Sequence, residues 1–151
     1  MTDPRKLRLN LESTLDSVEA AELIVQRMAD LNGFDDEQVY QIGMGVREMV
    51  INAIEHGNGF GSDKTVSFDA SIDDDAMHVT VVDQGSGFDP SSVRDPLAEE
   101  NLMRCSGRGL LLMRAFFDEV EIGPGEDSGT RIHSVKYRTV SAGGIAQEEV
   151  R

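Results

Sequence analysis

The stretch from Asp36 to Glu55 limits the fold more than any other, because it carries two faces that need different surroundings. Val39, Ile42, Val46, Met49, Val50 and Ala53 recur at the three-and-four spacing of an α-helix. They form one apolar stripe that must be buried under another layer. Glu48, Asn52 and His56 recur at i, i+4 and i+8 on a different stripe, where residues four apart are neighbours. The helix then runs into His56-Gly57-Asn58-Gly59, with Gly57 suited to a C-terminal cap. Standing alone, the polar stripe reads as a solvated face. An acid and an amide side by side could equally hold a metal-bound anion.

The remaining elements follow from two periodicities. Leu7, Leu9 and Leu11 alternate within a first strand, Arg5 to Leu11. Val66, Phe68, Ala70 and Ile72 alternate within Thr65 to Ile72, and Met77 to Val82 returns as a hairpin partner. Asp73-Asp74-Asp75 between them reads as a solvated turn, since a calcium loop spaces its acids at alternate positions. A first helix spans Asp16 to Asn32, with Val18, Ala21, Val25, Met28 and either Ile24 or Leu31 as its stripe. A third opens at Gly107-Arg108-Gly109 and runs through Phe117. A strand starting at Glu119 to Ile122 and another over Thr130 to Tyr137 flank the turn Gly123-Pro124-Gly125. Strands with one buried face each and three striped helices predict an α+β two-layer sandwich. Its sheet should be mixed but mainly antiparallel, with the helices on one face.

One domain is expected over residues 1–138, with 139–151 as a flexible tail. Residues 89–106 are weakly periodic and broken by Pro90 and Pro96. Long loops of that kind in a compact domain are commonly functional or disordered. The formal charge of −14 argues against nucleic acid or an anionic membrane as the main partner. It does not argue against a small anionic ligand, whose charge can be met locally by a cation and backbone amides. Cys105 is the single cysteine, so an intrachain disulfide and a paired-cysteine zinc site are both excluded. A reduced, cytoplasmic setting is expected, as no segment reads as a signal peptide or a transmembrane span. His56, His78 and His133 lack metal-ligand spacing, and the last two read as surface or edge residues of strands.

Two further segments join the helix of Glu48. Val79 to Val82 is an apolar strand running into Asp83-Gln84-Gly85-Ser86-Gly87, and Ser106-Gly107-Arg108-Gly109 opens an apolar helix. Ser128-Gly129-Thr130 follows before the last strand. No Gly-x-x-x-x-Gly-Lys-Ser/Thr is present, so a P-loop is excluded. Gly107 and Gly109 would instead let backbone amides at a helix N-terminus approach phosphates, with Arg108 as a guanidinium partner. In this order the segments resemble the N, G1 and G2 boxes of the GHKL ATPase/kinase superfamily over roughly residues 5 to 138. The wording Glu48-x-x-x-Asn52-Ala53-x-x-His56-Gly57-Asn58 is most similar to bacterial anti-sigma-factor serine kinases.

The resemblance implies a Bergerat-type ATP-binding fold and roles for matching residues. Asp83 would accept a hydrogen bond from the adenine amine, Gly85 and Gly87 would let the backbone fold round the base, and Thr130 would support it through Asp83. Asn52 would ligate Mg²⁺, Gly107, Arg108 and Gly109 would meet the phosphates, and residues 89–108 would form an ATP lid. Glu48, one turn from Asn52, would be the base that deprotonates an incoming hydroxyl. His56 reads as a helix cap and Cys105 as an inert thiol. The implied function is a protein serine kinase and anti-sigma factor, a homodimer that binds a sigma factor and phosphorylates an anti-anti-sigma antagonist. Two alternatives stand beside it: a stand-alone histidine-kinase-type catalytic domain, and a nucleotide-gated binding module with little catalysis.

Overall fold

The computed structural model describes residues 4–86 and 108–139. Their order is β1 (Arg5–Glu12), α1 (Leu15–Leu31), α2 (Asp36–Ile51), a π-helical segment (Asn52–Gly57), β2 (Thr65–Ile72), β3 (Ala76–Val82), α3 (Gly109–Phe116), β4 (Glu119–Pro124) and β5 (Thr130–Tyr137). The five strands form one sheet in the order β1-β2-β3-β5-β4. Every described pair is antiparallel, the limiting case of the mainly antiparallel sheet expected from sequence.

The register explains why the helices lie on one side. Leu9, Phe68, Val81, Ile132 and Ile122 are cross-strand partners in a single row, and all but Leu9 are buried. The neighbouring row, Arg8, Asp69, Thr80, His133 and Glu121, points the other way and is polar. Period-two alternation therefore gives the sheet one core face and one open face. α2 covers the core face with Ile42, Val46, Met49 and Val50, each fully buried. Burying a side chain of this size stabilises by about 1.5–3 kcal/mol. The Ser134 hydroxyl, also fully buried, points from β5 to Met49 Sδ at 3.2 Å.

α1 packs on α2 through Val18, Ala21, Val25 and Ala29. Ala29, four residues after Val25, joins this stripe, and Met28 packs partly buried against the core as expected. Leu31 is 67% exposed. α2 starts where Asp35 Oδ1 accepts from Gln38 N at 2.8 Å, a side-chain N-cap. The expected turn at Asp73 is an Asx turn, with Oδ1 accepting from Asp75 N and Ala76 N. No helix of the described residues is long and apolar enough to cross a membrane.

The sequence expectation of a regular helix to Glu55 is corrected here. The α-helix ends at Ile51 and widens into a π-helical turn from Asn52 to Gly57, closed by Asn58 N donating to Ala53 O at 2.8 Å. Such insertions carry one extra residue per turn and are frequent at functional sites. The apolar pattern cannot reveal this one, because Ala53 and Ile54 are both buried and satisfy either winding.

Candidate functional site

Two groups of predicted residues meet at the C-terminal end of α2. The first surrounds Asp83, which leaves the end of β3 and is 3% exposed. Its backbone N donates to Thr130 O at 3.1 Å, while Thr130 N donates to Asp83 Oδ1 at 3.1 Å. Gly85 N also donates to Oδ1, at 2.9 Å. Both hydrogen bonds from described residues therefore go to Oδ1, and Oδ2 remains as an acceptor. Burial pushes the Asp83 carboxyl above its usual range, against the opposing pull of the Gly85 and Thr130 amides and of Lys64.

Close backbone approach builds this pocket. A Cβ on Gly57 would overlap the Asp83 carboxylate, and one on Gly129 would overlap the Asp83 backbone oxygen. Gly129 also has φ +77°, a conformation side chains resist. Gly129→Ala is expected to cost about 2 kcal/mol or more in urea denaturation, from the left-handed backbone and the overlap together. Gly123→Ala, where a Cβ meets nothing within 4 Å, should leave the midpoint within about 0.5 kcal/mol of the parent's.

The second group is Glu48, Asn52 and Gly109. A methyl placed on Gly109 would lie 3.7 Å from Glu48 Oε1, so the start of α3 faces the Glu48 carboxylate. Glu48 is half-buried, and desolvation raises its pKa despite the lowering effect of Arg47 beside it. Arg47 itself is drawn away, its Nη1 3.0 Å from Glu22 Oε1 on α1. Asn52 opens the π-helical turn and is 6% exposed. Its Oδ1 is buried and without a hydrogen-bond partner among the described residues. Such an orphaned acceptor costs about 1–3 kcal/mol unless something occupies it. The chemistry of this buried amide oxygen suits a hard cation that takes oxygen ligands.

Asn52 and Gly57, first and last residues of one π-helical turn, join the two groups. The widened turn displaces His56 from the stripe of Glu48 and Asn52. His56 is exposed, with Nε2 3.7 Å from Glu55 Oε1. The cap that the sequence suggested for its imidazole is made by the Asn58 amide instead. Arg108 is exposed immediately before α3. Gly87, Gly107, Cys105 and all of the expected lid except Arg108 lie outside the described residues, as does the expected tail after Thr139. His78 and His133 stack on the open sheet face, with ring centroids 5.7 Å apart. No group of three or more potential metal ligands of the His, Cys, Asp and Glu type occurs among the described residues.

Sequence reasoning gave no role to Asn58, Gln84 or Ser13, which prove to be bonded to one another beneath this pocket. The one available signal was Asn58 within His-Gly-Asn, directly after the glycine that touches Asp83.

A five-stranded antiparallel sheet backed by helices, with a buried acid, close-packed glycines and an amide oxygen unpartnered among the described residues at one end, defines a nucleotide-binding class of domain. Comparison with known proteins agrees. The profile of the histidine kinase-like ATPase domain matches residues 11–136, and the chain belongs to that family, for which ATP binding is implied. Among its relatives is the anti-sigma F factor of Clostridium perfringens, 37% identical over 99 residues, covering 64% of this chain and 70% of the relative. Another is the anti-sigma F factor of Bacillus thuringiensis, 36% identical over 104 residues, covering 67% of this chain and 70% of the relative. The fold is similar to a crystal structure of the RsbU and RsbW domains of a Mycobacterium tuberculosis protein. There the TM-score is 0.63 at 20% identity, over 91% of this chain and 34% of that one. This chain thus spans about a third of that solved chain.

Proposed function

We propose that this protein is an ATP- and Mg²⁺-dependent protein serine kinase that acts as an anti-sigma factor. It sequesters a sigma factor and phosphorylates a serine of an anti-anti-sigma antagonist, working as a cytoplasmic homodimer. The observation that carries the reading is the pairing of Glu48, a half-buried α2 carboxylate of raised pKa that faces the start of α3, with Asn52 Oδ1, one helical turn away and unpartnered among the described residues. The curated relatives named as anti-sigma F factors support the partner class.

In this reading Asp83 Oδ2 receives the adenine amine, and Gly85 and Gly87 let the backbone follow the base. Thr130 supports that contact through its two hydrogen bonds with Asp83. Gly107 and Gly109 present backbone amides to the phosphates, and Arg108 adds a guanidinium. Asn52 Oδ1 would hold Mg²⁺, which when bound neutralises phosphate charge. Glu48 takes the proton of the serine hydroxyl. The serine oxygen forms its bond to the γ-phosphorus, the bond from that phosphorus to the β,γ-bridging oxygen breaks, and ADP leaves with the electron pair. A raised pKa suits this role, since a base works best when its pKa approaches the working pH.

The test is incubation of the protein with Mg²⁺ and γ-labelled ATP in the presence of the antagonist and sigma proteins of its own organism. Label on an antagonist serine, with sigma retained on the kinase, is the expected result. ATP binding without transfer to any antagonist would replace the kinase by a nucleotide-gated binder.

A further inference from the structure

We infer that Asn58 is a positioning residue for nucleotide selection, holding the turn Asp83-Gln84-Gly85 in the shape that presents Asp83 to a purine amine. The inference rests on the ATP reading of the Asp83 pocket. Asn58 is 4% exposed, and its carboxamide is used at both ends. Nδ2 donates to Ser13 Oγ at 2.9 Å and to Thr65 O at 3.0 Å. Oδ1 accepts from Gln84 N at 2.7 Å. One side chain thus ties the β1–α1 junction and the start of β2 to the exit of β3.

Each residue of that turn has its own anchor. Asp83 is held by Thr130 on β5. Gly85 bonds Asp83 Oδ1 and lies so close to Gly57 that a Cβ would overlap the Gly57 carbonyl. The Gln84 amide is held by Asn58, and its side-chain Oε1 accepts from Thr65 N at 2.6 Å. The Gln84 side chain is exposed, so without Asn58 its amide would turn to water and the peptide planes on either side would be free to rotate. The Gly85 amide that donates to the Asp83 carboxylate belongs to one of those planes. The Ser13 hydroxyl, donating to Lys64 O at 2.7 Å, fixes Asn58 from behind. Buried networks in which every member is satisfied are stiff, and stiffness is what aiming a carboxylate requires.

A carboxylate acceptor favours the adenine amine and disfavours the guanine carbonyl, so base discrimination reports how well Asp83 is aimed. Binding of ATP, GTP and inorganic triphosphate is measured by calorimetry for the parent, Asn58→Ala and Asn58→Asp, each well below its unfolding temperature. The parent should prefer ATP over GTP. Asn58→Ala should lose about tenfold or more in ATP affinity with triphosphate binding unchanged, so that the preference collapses. Asn58→Asp keeps the acceptor for Gln84 N and loses both donors; it should keep the preference while its unfolding temperature falls. Amide exchange on the parent supplies a test independent of any variant: Gln84 N–H should be protected in the nucleotide-free protein. A retained preference in Asn58→Ala, or an unprotected Gln84 amide, overturns the role of Asn58 alone. A parent without ATP preference overturns the Asp83 pocket reading together with it.

Discussion

Replacing Glu48 by Gln should lower phosphoryl transfer to the antagonist by about 10²–10⁴-fold, the usual contribution of a positioned base, with ATP affinity within about twofold of the parent. The carboxylate lies beside the start of α3, where Gly109 leaves it open. The Asp83 pocket is built from other elements, so the nucleotide should still bind. The pH profile separates a base from a bystander. Burial raises the Glu48 pKa above its ordinary 4.5, and only the deprotonated form accepts the serine proton. Transfer should therefore rise with pH through that raised value and level off above it. Glu48→Gln should lose this limb along with the rate. Single-turnover transfer from pre-bound ATP, followed across the acid range for both proteins, makes the comparison. Parent-like rates in Glu48→Gln would remove Glu48 from the chemistry.

How much of this was readable in the chain depends on the length scale of each signal. The hairpin from Thr65 to Val82 and the strand from Thr130 to Tyr137 were legible because one side of each strand is buried, which forces period two. The α2 stripe was legible for the same kind of reason, and Glu48 and Asn52 stand one α-helical turn apart as the spacing required. The π-helical turn was not legible. It packs against residues distant in the chain, Gly57 lying against Asp83 and Gly85. Asn58 illustrates the same limit. Its partners are 45, 7 and 26 residues away in the chain, and no local pattern reports on them.

Asn52→Ala and Asp83→Asn should both weaken binding of Mg²⁺-ATP by roughly tenfold or more, from loss of a hydrogen bond or ligand worth about 1–3 kcal/mol, yet they should differ in every other respect. Asn52→Ala removes an acceptor that is buried and unpartnered among the described residues, so losing Oδ1 breaks no hydrogen bond that those residues make. Its defect should appear with Mg²⁺ present and shrink when nucleotide binding is measured in EDTA. Asp83→Asn keeps an oxygen for Gly85 N and Thr130 N but can present its amide nitrogen where the adenine amine needs an acceptor, so its defect should persist in EDTA. The two should also diverge in stability. The folded-state pKa of Asp83 lies above the ordinary 3.8 because burial penalises its charge. The folded protein then holds that proton more tightly than the unfolded chain, and stability drains away as pH rises from 3.8 through the raised value. Asparagine carries no such penalty. At neutral pH the unfolding midpoint of Asp83→Asn should be no lower than the parent's, and its advantage should vanish as pH falls below the ordinary carboxylate range. Calorimetric titrations with and without EDTA, paired with thermal unfolding at pH 3.5 and 7, read all four quantities. Parent-like ATP affinity in both variants would empty the site, and a metal-independent defect in Asn52→Ala would leave Asn52 out of metal binding.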